Sequence, residues 1–178
     1  MKKIYLLLFL SFSISSSFSQ VKSLAVTKSS VVFHIKNLGF TVDGKFGGFK
    51  GDIKFDTANL AASSIEASVE TNTIDTDNGT RNDHLKSDSY FDAVKYPEIK
   101  IKSVSFKHLS GNNYTGSFSL TIKDKTNTIS IPFTYVETGN NAQLKGSFQV
   151  ERTDYGVGGK SMVMSNDVKI DLDVTVSK

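Results

Sequence analysis

Arg152 is the residue whose type and position most clearly suggest chemistry. It follows Phe148 and Val150 at intervals of two, so in an extended strand all three side chains point toward the same apolar side. An arginine directed into an apolar interior needs a partner, because an unpaired buried charge is strongly unfavourable. Two interpretations stay open: the guanidinium binds a phosphate or quinone carbonyl of a ligand, or it forms a salt bridge with Asp154 or another carboxylate.

Arg81 and His84 form a second polar group, near the start of a short predicted helix. A helix start favours anions, so these two side chains are secondary candidates for binding a ligand headgroup. The segment 81–85, together with Tyr90 and Phe91, is interpreted either as a lid at the mouth of a cavity or as a helix packed across one end of the fold.

Other reactive arrangements are missing from the sequence. There is no cysteine, no Gly-x-Ser-x-Gly elbow and no glycine-rich phosphate loop ahead of a helix. The three histidines are scattered, and His34 is expected to face water, so no metal site is predicted. Asp171 and Asp173 lie on the wet face of a predicted strand and are interpreted as solvated surface. We therefore expect a protein that is not an enzyme.

The elements that must position these residues are strands. Apolar and polar residues alternate with period two in eight segments, which gives each segment one apolar and one wet face. Strands of this kind are expected to be antiparallel, because parallel strands covered on both faces are apolar throughout. The eight segments are 31–36, 52–56, 65–70, 98–102, 117–123, 129–135, 148–151 and 168–176.

The spacers carry the residues of tight turns. Asp43-Gly44, Gly47-Gly48, Gly111-Asn112-Asn113 and Gly139-Asn140-Asn141 are predicted to be hairpin turns, since they supply residues that tolerate positive φ. The segment 77–93 lacks the alternation and is predicted to contain the one short helix, with Thr80 as its N-cap.

Eight such strands can form a sandwich or a closed barrel. Closure removes the sheet edges and, at eight strands, leaves an interior that can hold one ligand. Thirteen Phe, six Tyr and no Trp offer many flat apolar surfaces, but a close-packed core could absorb them equally well. The pattern alone leaves both arrangements open.

Residues 1–19 are predicted to be a secretory signal peptide. Two lysines precede the apolar run 4–10, and small residues surround a cleavage site after Ser19. Removing Lys2 and Lys3 lowers the formal charge from +3 to +1, so no basic face for nucleic acid is expected. The protein is expected in the periplasm or outside the cell without a lipid anchor, with residues 20–178 forming one domain.

The order of several short motifs is more specific than the alternation. The motifs are SVVFHI at 30–35, VDGKFGGFKGDIKFD at 42–56, IDT at 74–76, RNDHLKS at 81–87, YFD at 90–92, YPEI at 96–99, GSFSLTI at 116–122 and GSFQVERTDYG at 146–156. In this order and spacing, the chain closely resembles the YceI-like polyisoprenoid-binding family from about residue 21 to its end. Tyr155 departs from the pattern, since phenylalanine is frequent there, which we expect to alter polarity at the cavity mouth.

The resemblance implies an all-β, eight-stranded antiparallel β-barrel, lipocalin-like, with one short helix in a long connection. It also implies that an isoprenoid quinone or polyprenyl phosphate is bound, stored or transported inside the barrel, with no other cofactor. The headgroup of such a ligand would lie near Arg152, Arg81, His84, Asp154 and Tyr155. Transient contact with a membrane and formation of a homodimer are compatible with this function. The alternative is a stress-protective interaction module whose barrel is filled by its own side chains. The expected cavity lining is Phe33, Ile35, Ile53, Phe55, Ile65, Val69, Tyr90, Phe91, Ile101, Phe118, Leu120, Ile131, Phe133, Phe148, Val150, Ile170 and Leu172.

Overall fold

The structure, a computed structural model, describes residues 21–178, so the predicted signal peptide lies outside the described residues. Within them the fold is all-β with one short α-helix, α1 (Gly79–Lys86), as expected. No helix in this part of the chain is long and apolar enough to cross a membrane. The strands are β1 (Ala25–Asn37), β2 (Phe40–Phe46), β3 (Lys50–Lys54), β4 (Ser64–Glu70), β5 (Glu98–Ser110), β6 (Asn113–Ile122), β7 (Lys125–Thr138), β8 (Asn141–Glu151) and β9 (Met164–Ser177).

The nine strands form a single curled sheet in the order β2-β1-β9-β8-β7-β6-β5-β4-β3, and every pairing is antiparallel. The two edge strands, β2 and β3, have no continuous ladder between them. Each edge strand instead forms one isolated bridge to another part of the chain: Ile53 of β3 pairs with Leu24, just before β1, and Lys45 of β2 pairs with Asp75, in the connection after β4. The sheet therefore wraps around an interior but is closed less regularly than the predicted eight-stranded barrel.

The strand that the sequence did not predict is β2. The turn expected at Asp43-Gly44 is wrong: the chain reverses at Leu38 and Gly39, which both have positive φ, at 52° and 82°. Gly44 lies opposite Phe33 in the ladder, and a Cβ on it would lie 2.2 Å from the end of that ring. Glycine is needed there because the Phe33 ring lies directly over the backbone, and not because the chain turns.

The prediction of a hairpin at Gly47-Gly48 is also wrong, because this pair connects β2 to β3, which lie at opposite edges of the sheet and do not pair with each other. The other two predicted turns are confirmed: Gly111 and Gly139 lie in the tight turns of the β5–β6 and β7–β8 hairpins. These hairpins bring consecutive strands side by side, so most of the sheet from β4 to β9 follows chain order.

Helix α1 lies in the long connection between β4 and β5. Its N-cap is Asn78, whose side-chain oxygen accepts a hydrogen bond from the backbone N–H of Arg81 at 2.9 Å. The prediction that Thr80 caps the helix is wrong, because Asn78, whose backbone is extended, already supplies the capping oxygen from its side chain two residues earlier. After the helix the backbone folds back, with the N–H of Phe91 donating to the carbonyl oxygen of Leu85 at 3.0 Å.

One end of the interior is filled by aromatic rings. Phe55 is 4 % exposed and contacts the rings of Phe106, Tyr114, Phe133 and Tyr135, with centroids 4.8–5.6 Å apart. Buried aliphatic residues from the end of β9 and the start of β8 pack around them. We call the Phe55, Phe106, Tyr114, Phe133 and Tyr135 cluster the aromatic plug.

Candidate ligand-binding cavity

Beyond the aromatic plug the interior is hollow. The sheet encloses an apolar cavity of about 250 Å³ that extends toward the end of the fold where α1 lies. Cavities of about 150 Å³ with purely apolar walls stay dry and take up small hydrocarbons. This larger cavity is therefore suited to an apolar guest.

Strand alternation assigned fifteen residues to the inward faces, and the segment after α1 added Tyr90 and Phe91 to the expected lining. Sixteen of the seventeen expected lining residues form part of the cavity wall: Phe33, Ile35, Ile53, Ile65, Val69, Tyr90, Phe91, Ile101, Phe118, Leu120, Ile131, Phe133, Phe148, Val150, Ile170 and Leu172. The exception is Phe55, which points inward but lies within the aromatic plug and is not part of the wall.

Other wall residues were missed by the sequence reasoning. Val42 and Phe46 belong to β2, whose alternation is interrupted by Gly44, so the segment was interpreted as a turn. Val157 follows a 3₁₀ turn and Leu85 lies in α1, where period-two alternation gives no information. Val42, Gly44 and Phe46 are spaced by two residues, and this spacing is the signal that could have revealed β2.

Arg152 lies on the cavity wall and is only 5 % exposed. Its guanidinium donates three hydrogen bonds: to the carbonyl oxygens of Ser165 at 2.9 Å and Val157 at 2.8 Å, and to the side-chain oxygen of Asn166 at 3.2 Å. All three acceptors are neutral, so the charge of this buried group is held in place without being neutralised.

Of the two interpretations left open for Arg152, the salt bridge with Asp154 or another carboxylate is wrong. None of the ion pairs formed within residues 21–178 includes Arg152. After β8 the chain enters a 3₁₀ turn, Arg152–Tyr155, which ends at Gly156 in the left-handed conformation. This turn directs Asp154 into solvent while Arg152 stays inside. A buried cation surrounded only by neutral acceptors favours an anionic or strongly polar guest group nearby.

Arg81 also contributes to the wall, but its guanidinium is bound by the side chain and the backbone of Thr76 near the mouth. Its Nε donates to Thr76 Oγ1 at 2.8 Å, and its Nη2 donates to the Thr76 carbonyl oxygen at 2.6 Å. Thr76 in turn donates its hydroxyl to Asn82 Oδ1 at 2.7 Å. Arg81 therefore fixes the start of α1 against the preceding chain while part of it remains exposed at the cavity.

His84 lies in a shallow recess outside the cavity. The recess is bordered by Asn37, Arg81, Leu85, Tyr90 and Met164, which also belong to the cavity wall, so the recess adjoins the mouth. The exposed His84 ring packs edge-on against Tyr90, with centroids 4.9 Å apart. His84 is therefore placed at the mouth and not in the interior.

Tyr155 and Asp154 are not part of the wall. Tyr155 is 2 % exposed and packs with Leu120 and Val157 in a separate small core. Burial raises the pKa of its hydroxyl. The expectation that these two residues contact a headgroup or set polarity at the mouth is contradicted by their positions.

On the outer face of the sheet, His34 links three strands. Its Nδ1 lies 2.6 Å from Asp43 Oδ1 in β2, and its Nε2 lies 3.0 Å from Asp171 Oδ2 in β9. A hydrogen bond from Ser147, together with Lys169 and His34, lowers the pKa of Asp171. His34 faces outward as expected, but its ring nitrogens are paired with carboxylates. Across residues 21–178 no group of His, Asp or Glu side chains is arranged to hold a metal ion.

The cavity is therefore polarised along its length. Polar wall groups, from Arg152, Arg81, Thr76 and Asn37, lie toward the α1 end, and the aromatic plug closes the other end. A guest with one polar end and one hydrocarbon end matches this arrangement in a single direction.

Comparison with known proteins gives a consistent family assignment. UPF0312 proteins of Vibrio cholerae and Shewanella denitrificans are 27 % and 28 % identical to this chain, over 83 % and 82 % of it and 80 % of each relative. Burkholderia cenocepacia BcnA superposes with a TM-score of 0.79 at 26 % identity, covering 83 % of this chain and 95 % of BcnA.

More distant solved structures have the same fold. The Campylobacter jejuni YceI protein has a TM-score of 0.71 at 18 % identity, covering 100 % of this chain and 99 % of its own. A domain from Saccharophagus degradans, described as polyisoprenoid-binding and implicated in plant cell wall breakdown, has a TM-score of 0.70 at 16 % identity, over 89 % and 99 %. The model of the YceI-like domain matches residues 23–176, nearly the whole described chain, and the protein thus belongs to the YceI-like family.

Proposed function

We propose that this protein binds a long-chain isoprenoid-type amphiphile, such as an isoprenoid quinone or a polyprenyl phosphate, and stores or transports it without chemical conversion. The observation that carries the proposal is the apolar cavity with a buried arginine at one end, which no carboxylate of the described residues neutralises. We place this activity in the periplasm or outside the cell, on the basis of the signal-like segment 1–19.

Burial of the hydrocarbon tail supplies the affinity. At roughly 0.8 kcal/mol per buried CH₂, a tail of about fifteen carbons contributes on the order of 12 kcal/mol. This is comparable with the ~4–15 kcal/mol that association costs in lost freedom of motion. Binding needs no reactive side chain, and the walls offer apolar surface along nearly their full length.

The polarity of the cavity orients the guest. We place the headgroup near Arg152, where the guanidinium can add charge-assisted hydrogen bonds to a phosphate or a quinone carbonyl. The tail then points toward Phe55 and the aromatic plug. The description of the Saccharophagus degradans domain as polyisoprenoid-binding supports the ligand class, on the strength of a shared fold.

The first experiment is organic extraction of the mature protein purified from its own host, followed by mass spectrometry. A prenyl lipid at near-stoichiometric amount is the expected result. Protein that is free of lipid, and whose tyrosine fluorescence added short-chain quinone does not quench, would instead support a stress-protective module that binds no lipid.

The second experiment tests the headgroup position with a matched pair of probes, farnesyl phosphate and farnesol. For Arg152→Ala we expect affinity for farnesyl phosphate to fall about tenfold more than affinity for farnesol, the equivalent of ~1.4 kcal/mol. A general loss of protein stability weakens the binding of both probes equally, so it does not change the ratio of the two affinities. Equal losses for both probes would remove Arg152 from the site.

A further inference from the structure

Four large apolar side chains project into solvent beside the cavity mouth. Leu38 and Phe40 lie at the β1–β2 turn, and Met162 and Val163 lie in the loop before β9; all four are more than half exposed. We call these four residues the apolar tip. Within residues 21–178, the remaining large exposed apolar side chains are scattered over the α1–β5 connection, β5 and β7: Val94, Val104, Leu109 and Val136.

The two halves of the apolar tip are joined to each other and to the mouth. The backbone N–H of Leu38 donates to the carbonyl oxygen of Val163 at 2.8 Å. Asn37 is in register with Phe40 on one side and with Met164 on the other, and both Asn37 and Met164 belong to the cavity wall. The apolar tip therefore forms a rim of the opening through which a ligand reaches the cavity.

Two lysines lie close to the apolar tip along the chain. The segments 36–42 and 156–166, which carry the tip, contain Lys36 and Lys160, and the carboxylates nearest to it in the chain are Asp43 and Asp167, just beyond these segments. Asp43 is paired with the His34 ring at 2.6 Å. Both lysines are exposed. An apolar projection with flanking cations complements a bilayer surface that contains anionic lipid.

We infer that the apolar tip docks on an anionic lipid bilayer, inserting its four side chains between the headgroups and placing the cavity mouth against the membrane. This inference rests on the proposed function, since a tail held in the cavity would move between protein and bilayer at this opening. The area of four side chains is at most a few hundred Å², well below the ~800 Å² per partner of a stable protein interface. A fluid bilayer can accept inserted side chains without a large surface of complementary shape. We therefore favour a bilayer over a second copy of the chain.

A fluorescent reporter tests the docking directly, because the protein has no tryptophan. In Phe40→Trp, the single tryptophan would sit at the apolar tip; in the control Leu109→Trp, it would sit on an exposed position of β5. The probes are vesicles of phosphatidylcholine, alone or with about 30 % phosphatidylglycerol. We expect a blue shift for Phe40→Trp only, with about tenfold tighter binding to the anionic vesicles that high salt removes.

Two double variants test whether removing apolar side chains weakens vesicle binding. Leu38→Ser/Met162→Ser should reduce flotation with anionic vesicles about tenfold, whereas Val104→Ser/Leu109→Ser should leave it unchanged. All four positions are exposed, so the fold is retained, and circular dichroism checks this. Equal loss in both double variants would show that any exposed apolar side chain suffices, and would overturn the assignment.

Farnesol binding to the same proteins separates this inference from the proposed function. Absence of a blue shift with either vesicle, in protein that still binds farnesol, refutes the docking and leaves the cavity proposal intact. Vesicle binding by protein that does not bind farnesol refutes the cavity proposal and leaves the docking intact. A blue shift that grows with protein concentration in the absence of vesicles would assign the apolar tip to a second copy and overturn the inference.

Discussion

The replacement of Phe55 by alanine, compared with the same replacement at Phe148, tests whether the interior is filled at one end and hollow at the other. Phe55 is nearly inaccessible and surrounded by four rings. Phe148 is half-buried, lies on the cavity wall and takes part in none of the aromatic pairs among residues 21–178. The two variants remove the same atoms from different surroundings.

The expected magnitudes differ because only one variant creates a new cavity. Phe55→Ala should reduce the free energy of unfolding by about 3–5 kcal/mol, the range for a close-packed phenylalanine. Phe148→Ala enlarges a space that already exists and removes a side chain only partly withdrawn from solvent, so we expect about 1–2 kcal/mol. For a domain of this size the melting temperatures of the two variants should then differ by roughly 5–10 °C.

The assay is equilibrium urea unfolding of lipid-free protein, refolded after organic extraction and followed by circular dichroism. The slope against urea should stay the same in both variants, because the surface exposed on unfolding is nearly unchanged. If Phe148→Ala is as destabilising as Phe55→Ala, the side chains around Phe148 are as closely packed as the aromatic plug. That result would refute the hollow interior and, with it, the basis for the proposed ligand.

Three further variants test local features of the fold. Gly44→Ala should destabilise the protein by about 1–3 kcal/mol, measured by urea unfolding, because its Cβ would collide with the Phe33 ring; stability equal to wild type would contradict the close contact. Asn78→Ala removes the helix cap and should reduce the unfolding free energy by about 1 kcal/mol, with Thr80→Ala as a milder control. The pKa of the Tyr135 hydroxyl is raised, mainly by burial and also by repulsion from Glu137. The native state therefore holds this proton more tightly than the unfolded chain does. The stability that depends on it is present below the unfolded pKa of about 10 and is lost as pH rises above it. In Tyr135→Phe the melting temperature should therefore fall less steeply above pH ~10 than in wild type, and parallel pH curves would contradict this assignment.

The division of the interior explains how one small domain can combine stability with an open cavity. A cavity forgoes contacts that a filled core would make, and each forgone contact reduces the stability of the native state. The aromatic plug and the aliphatic residues around it concentrate close packing at one end. The α1 end is then free to keep an opening and a buried charge.

The sequence by itself determined which side chains point inward. Alternation along a strand depends only on local backbone geometry, so fourteen wall residues could be predicted from their positions in the strands. The turns at Gly111 and Gly139 were equally local and were predicted for the same reason. The motif order from residue 30 to residue 156 indicated the family, which the match to the YceI-like domain confirms.

Tertiary structure alone decided what those inward faces meet. The position of a residue in the alternation gives the direction of its side chain but not the distance to the opposite wall. From the sequence, Phe55 and Phe148 therefore looked equivalent, although Phe55 lies in the aromatic plug and Phe148 borders the cavity. The surroundings of Arg152 were also beyond local reasoning, because two of its three acceptors come from β9, more than ten residues away. Gly44 was misjudged because the Phe33 ring that requires it lies on a neighbouring strand. Each of these features depends on contacts between residues of different strands, which form only when the sheet assembles and curls.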